Sequence, residues 1–302
     1  MTTSGDTFPA LSGFYRLLFL YLEPLSTLTP FLMVWVSPGS SWFHHQLIPS
    51  NEPHPLNIED SRTLMAIWQL ANCYFLLGMI SSLVFRAIRD ALPNNGVAQE
   101  RILGSAFLAL GIADHHFRST VRTAIIFSMT PYPALPGYYK FMFLYLEPIS
   151  EVGPFVMCMK EGASWFYNEL VPPTGPPPLT LDPRAEIAIW QLAIGFLLLF
   201  ILTSLAYRGV RDALQDRLDL QEKLTGAILF SLGIADVTHF TLTYIFLPEE
   251  WKYQPWLWNT TTHGNLSFVI LLHVSRICWF LGVGRKRYYF GQPARAIPAK
   301  KA

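Results

Sequence analysis

Charge is what this chain has least of. Asp, Glu, Lys and Arg together make up 14% of it, where an average soluble domain carries about 25%. With 51% hydrophobic residues and a mean hydropathy of +0.30, the deficit argues against a water-soluble domain and for a chain solvated by lipid. The two signs nearly cancel, at a formal net charge of +1, so electrostatics gives no reason to expect nucleic acid or an acidic substrate. Cysteine is scarce too. Cys73, Cys158 and Cys278 sit in separate apolar runs, with neither pair nor ligand spacing, so no disulfide framework is expected. Residues 1–9 lack the basic-then-apolar layout of a signal peptide, and the membrane segments themselves are expected to direct insertion. Also missing are a Gly-rich phosphate loop, H-E-x-x-H, a Ser-His-Asp arrangement, a redox fingerprint and an Asp-rich magnesium-diphosphate cluster. The expectation is chemistry by the chain's own side chains, with no cofactor and no metal.

Long apolar runs are what the chain has instead. Runs of about 20 mostly apolar residues read as membrane spans, and they fall at 14–36, 63–85, 102–127, 138–159, 186–207, 223–247 and 264–284. The predicted fold is an all-α integral membrane protein of seven spans. His115, His116, Arg118 and Arg122 make the second half of the third span polar.

The chain also repeats itself. Phe19-Leu20-Tyr21-Leu22-Glu23-Pro24 returns as Phe143-Leu144-Tyr145-Leu146-Glu147-Pro148, and Trp68-Gln69-Leu70-Ala71 as Trp190-Gln191-Leu192-Ala193. Leu110-Gly111-Ile112-Ala113-Asp114 returns as Leu232-Gly233-Ile234-Ala235-Asp236, and Ser41-Trp42-Phe43 as Ser164-Trp165-Phe166. The organisation read from this is a first repeat at 1–136, a second at 137–250, and a final span with a basic tail at 251–302. Three spans per repeat would place the second copy upside down relative to the first. Arg285, Lys286 and Arg287 after the last span, with Arg208, Arg211 and Arg217 after the fifth, predict a cytoplasmic C-terminus and a lumenal N-terminus in the endoplasmic reticulum. Arg86, Arg89 and Arg101 stand on the wrong side in that arrangement.

A carboxylate at membrane depth is costly and is a functional-site hypothesis by default. Glu23 and Glu147 are such groups, each followed by a proline expected to kink its helix. A purely structural role would have each Glu hydrogen-bond a freed amide or a neighbouring Arg. Asp114 and Asp236 are the other acids at depth, with His115, His116 and His239 close by in sequence; a salt bridge to Arg118 or Arg276 would explain them as well. Arg276, buried in an apolar run, needs an acidic partner among Glu23, Glu147, Asp114 and Asp236. Gln69, Asn72 and Gln191 lie beside Trp68 and Trp190. Interhelical hydrogen bonds would satisfy these amides, and so would an aromatic-walled site for an apolar ligand. Asn265 and Arg276 share a face of the last span with His273 near them. Glu151, four residues after Glu147, puts two carboxyl groups on one helix face, and two acids so close do not readily both ionise. Glu23, Glu147, Asp114 and Asp236 are therefore the candidate acids. Trp68, Gln69, Asn72, Trp190, Gln191, Asn265 and Arg276 are the candidate substrate-binding residues.

The repeated Tyr-Leu-Glu-Pro, Trp-Gln-Leu-Ala and Gly-Ile-Ala-Asp segments, with Trp258-Asn259-x3-His263-Gly264-Asn265 and Arg276-x4-Leu281-Gly282-Val283-Gly284, resemble a fungal membrane family. Its members include transmembrane terpene cyclases of meroterpenoid pathways, of the ascofuranone and macrophorin type. The resemblance implies cyclisation of a prenyl or meroterpenoid substrate, begun by protonating an epoxide or alkene without metal or cofactor. Two other readings of the residues stand beside it: a sterol-isomerase-like enzyme, and a transporter or lipid-binding protein.

Overall fold

The computed structural model describes residues 8–291 apart from 52, 54, 59, 94, 116–130 and 174, with only the backbone described for 109–115. The chain is all-α. Its main helices are α1 (Gly13–Trp35), α2 (Ser40–Gln46), α3 (Ser61–Ala91), α4 (Gly96–His115), α5 (Tyr138–Glu161), α6 (Ala163–Glu169), α7 (Pro183–Ala213), α8 (Leu218–Phe246) and α9 (Thr260–Leu281). Six of them, α1, α3, α5, α7, α8 and α9, are long and apolar enough to cross a bilayer. Helices suit that environment because each satisfies its own backbone groups away from water. The third predicted span begins in α4, whose first two turns hold Gln99, Glu100 and Arg101; its remainder, with His116, Arg118 and Arg122, lies outside the described residues.

Proline does not break α1 or α5. A proline lacks its N–H and crowds the carbonyl four residues earlier. Pro24 and Pro148 are accommodated by π-turns just upstream, at Leu18–Leu22 and Met142–Leu146. In α1 the carbonyl that loses its donor is Leu20 O, and the Arg86 guanidinium donates to it at 2.8 Å.

The same hydrogen bonds recur at matching positions of the two sequence copies. Leu11 N–H donates to Phe8 O at 3.1 Å, and Leu135 N–H to Tyr132 O at 2.9 Å. Ala10 N–H reaches Gln99 Oε1 at 3.3 Å, and Ala134 N–H reaches Gln221 Oε1 at 3.2 Å. Arg62 donates to Asn168 O at 3.4 Å while the matching Arg184 donates to His45 O at 3.3 Å. A Cβ on Gly195 would touch its own counterpart, Cys73, at 3.4 Å.

These bonds correct the expected inverted orientation. Arg184 opens α7 and contacts α2, which follows α1; Arg62 opens α3 and lies against α6, which follows α5. The starts of α3 and α7 thus share one end of the bundle, where inversion would put them at opposite ends. The other end gathers Ala10, Gln99, Ala134, Gln221 and the segment after α9, where Tyr139 Oη donates to Val283 O at 2.7 Å and Trp279 Nε1 to Ala134 O at 2.7 Å. Residues 8–10 and 282–291 therefore lie at the same end of the bundle, where the expected topology would have put these two segments at opposite ends. Arg101, whose Nη1 donates to Asp212 O at 3.3 Å, is at this end as well, so the basic residues after α3, α7 and α9 collect on one side.

Asp60 caps α3 from outside the apolar run. Its Oδ2 accepts from Thr63 N–H at 2.6 Å and from the Tyr167 hydroxyl at 2.5 Å. Burial pushes the Asp60 carboxyl up, but the Tyr167 and Thr63 donors outweigh it and hold it below the usual carboxylate range; the same contact and burial push the Tyr167 phenol up to about 12. Asp60→Ala is expected to cost about 1 kcal/mol, the usual loss for an N-cap. A depressed carboxyl stabilises above its unfolded pKa and loses that effect as pH falls through the folded one. The stability gap between wild type and Asp60→Asn, followed by thermal unfolding in detergent, should therefore close below about pH 4. A gap that widens on acidification would refute this role.

Candidate functional site

The buried acids of the second copy meet around one guanidinium. Arg276 on α9, 2% exposed, lies between α5 and α8. Its Nη1 donates to Asp236 Oδ2 at 2.6 Å, and its Nη2 donates to Glu147 Oε1. The guanidinium carbon also sits 5.3 Å from the centre of the Phe143 ring. Such charge-assisted bonds are among the stronger ones, and they are needed here because an unpaired buried ion costs several kcal/mol. His273, one turn before Arg276, brings Nδ1 to 3.7 Å from Asp236 Oδ2. Three further acid or amide groups complete the set. Glu151 Oε2 has the Thr203 hydroxyl as its partner at 3.3 Å. Asn72 Nδ2 donates to Ala235 O at 3.5 Å, and His239 is hydrogen-bonded to Asn265.

These groups open onto a cavity of about 370 Å³ between α3, α5, α7, α8 and α9, within the range of about 300–1,000 Å³ found for small-molecule sites. Asn72, Glu147, Glu151, Asp236, His239 and Asn265 supply its polar wall. Trp165, Phe166, Phe196, Phe268 and Leu272 supply an apolar one. Glu147 is 3% exposed and its Oε2 is buried without a hydrogen-bond partner among the described residues. Such an arrangement can hold an apolar molecule, present a carboxyl group to it, and place anionic oxygens and aromatic faces beside any positive charge that develops.

Of the residues singled out from sequence, Glu147, Asp236, Asn72 and Asn265 line this cavity, and Arg276 binds two of its acids. Glu23 does not. It accepts from Ser81 Oγ at 2.9 Å away from the cavity, and its other oxygen is buried without a hydrogen-bond partner among the described residues. Trp68 packs elsewhere, stacked on Phe246 at 4.9 Å and edge-on to Trp35 at 5.7 Å. Gln69 is buried and its amide has no hydrogen-bond partner among the described residues. Trp190 and Gln191 are half-buried on α7 and do not line the cavity. The backbone of Asp114 belongs to α4, but its side chain lies outside the described residues.

The copies differ for a visible reason. Ser81 and Thr203 match, and each gives a carboxyl group its hydroxyl partner. Thr27 in the first copy, which donates to Glu23 O at 3.0 Å, is replaced in the second by Glu151. Arg276 comes from α9, which has no counterpart beside Glu23 in the repeat pattern. Thr203 and the aromatic wall were not anticipated. Aligning Ser81 with Thr203 would have pointed to the hydroxyl, and Ser164-Trp165-Phe166 was legible as a repeat but not as a cavity wall.

No curated protein and no solved structure matches the chain. Its sequence matches the family model described as a domain of unknown function (DUF7704) over residues 8–115 and 132–286, and the chain belongs to that family.

Proposed function

We propose that this protein is an integral membrane terpene cyclase in which Glu151 is the initiating acid. The observation that carries the reading is the pairing of an aromatic-walled cavity with a carboxyl group whose hydrogen-bond partner, among the described residues, is a hydroxyl. Thr203 has one proton, and its Oγ is 2.7 Å from Leu199 O against 3.3 Å from Glu151 Oε2. With that proton on Leu199 O, the hydroxyl oxygen is left to accept from a protonated Glu151. Glu147 is bound to the Arg276 guanidinium instead, a partner that favours the anion.

In the proposed reaction Glu151 gives its proton to the epoxide oxygen of a prenyl chain, and the C–O bond breaks. The π-electrons of the next alkene form the new C–C bond, leaving a cation one step along the chain. Phe196, Phe268 and Trp165 face that charge with their rings, and Glu147 and Asp236 hold negative charge near it. Loss of a proton from the final cation to one of these carboxylates closes the sequence. An alkene substrate would begin by C–H bond formation at the same acid.

The two sequence copies read as structural repeats related by an approximate two-fold axis along the bundle, passing near the Cys73–Gly195 contact. Arg86, Arg89, Arg101, Arg208, Arg211, Arg217, Arg285 and Lys286 then share one face. By the positive-inside rule that face is cytoplasmic, in the endoplasmic reticulum, and both described ends of the chain lie there. This removes the conflict that an inverted arrangement created for Arg86, Arg89 and Arg101.

Membranes carrying the protein should convert an epoxidised farnesyl or farnesyl-phenol compound to a cyclic isomer of unchanged mass. If neither epoxidised nor unoxidised substrates are consumed, while proteoliposomes carry the same compounds across the bilayer, the enzyme reading falls and a transporter replaces it.

A further inference from the structure

Part of the cavity lining also reaches the outer surface of the bundle: Ser150 on α5 and Gly264 on α9 line the cavity and are exposed. Helix α9 is tied to α5 near one end and to α6, the short helix that follows α5, near the other. At the first, the Tyr138 and Ser275 hydroxyls lie 2.8 Å apart and Arg276 bridges to Glu147. At the second, Asn259, which caps the start of α9, donates from Nδ2 to Glu169 O at 2.8 Å and Oε2 at 2.9 Å. Between these ties the two helices do not pack closely. The cavity wall there consists of Ser150, Gly153 and Met157 on α5 and Gly264, Asn265 and Phe268 on α9. A Cβ built on Gly153 or on Gly264 meets nothing within 4 Å. A π-turn, Gly264–Phe268, occupies this stretch of α9, and such turns are frequent at functional sites. Glu147, whose Oε2 is buried with no hydrogen-bond partner among the described residues, lines the same cavity.

The outer faces of both helices are apolar and exposed: Ile149 at 58% and Val156 at 48% on α5, Ile270 at 47% and Val274 at 50% on α9. On a spanning helix such residues face acyl chains, so the gap opens to the hydrocarbon and not to water. We infer that the gap between α5 and α9 is a lateral portal through which an apolar substrate dissolved in the bilayer enters the cavity and its product leaves. The inference rests on the cavity being the reaction site proposed above, but its test does not depend on turnover.

The test uses the full chain in phosphatidylcholine nanodiscs with an alkyl diazirine dissolved in the lipid. After irradiation, carbene insertion is mapped by mass spectrometry. Wild type should carry label on the inner wall, at Leu272 and Phe196. Gly153→Trp and Gly264→Trp start from positions where an added Cβ has open space, and should lose that label down to the unirradiated background. Gly104→Trp, on α4 at another position where a Cβ meets nothing within 4 Å, should keep it. Equal inner-wall labelling in the plugged variants and wild type overturns the portal. So does an unlabelled wall in wild type. Labelling that behaves as described, in a protein that cyclises nothing, leaves the portal standing and refutes the cyclase alone.

Discussion

Arg276→Met is expected to be the most destabilising single substitution in the site. Arg276 is the cation between Glu147 and Asp236, and removing it takes the guanidinium from both acids in an apolar interior, leaving Asp236 the His273 ring at 3.7 Å. Breaking a buried ion pair in this way costs about 3–5 kcal/mol, while replacing every member with uncharged groups is often close to neutral. The single variant should therefore unfold at a clearly lower temperature in detergent. The triple variant Arg276→Met, Glu147→Gln, Asp236→Asn should recover most of the loss. Recovery without activity would separate the structural role of the cluster from its chemical one. A single variant as stable as wild type would mean that the cluster is not ionised as drawn.

The second large effect is expected at Glu151. Glutamine keeps the size of the side chain and a carbonyl oxygen near the Thr203 hydroxyl, but has no acidic proton to give. General acids typically contribute about 10²–10⁴-fold, and an acid that starts the reaction should sit at the upper part of that range. Product formation by Glu151→Gln is thus expected to fall by at least about a thousandfold, with the unfolding temperature held. Glu151→Asp shortens the reach and should retain part of the activity. Loss of fold in Glu151→Gln, with Glu151→Asp fully active, would contradict the assignment.

Much of the architecture was legible because lipid imposes a simple code. Backbone groups must be satisfied within each segment, so apolar runs of sufficient length become helices, and six of the predicted spans coincide with such helices. Direction was not legible. Apolarity says that a segment can cross, not which way it runs, and counting three spans per repeat implied an inversion that the bonds from Arg62 to Asn168 and Arg184 to His45 overturn. Those contacts join helix ends far apart in sequence and leave no local signature.

The site was legible to a similar depth. A buried Arg276 demanded an acid, and two of its four candidate partners, Glu147 and Asp236, are the ones it binds. What separates Glu147 from Glu23 is supplied by another helix, α9, and so cannot be read from the shared Tyr-Leu-Glu-Pro phrase. Trp68 misled for a related reason. The repeat marks it, but whether a side chain points at a cavity or at Phe246 depends on helix rotation, while Asn72 one turn later does reach the cavity.

The account turns on the second copy, not the first, holding the working acid, and a paired assay tests that most directly. Glu23→Gln and Glu151→Gln are expressed to equal abundance in membranes and given the same epoxidised farnesyl substrate. Glu23→Gln should form cyclic product at close to the wild-type rate, while Glu151→Gln forms almost none. Loss of product in Glu23→Gln with Glu151→Gln unaffected would contradict it.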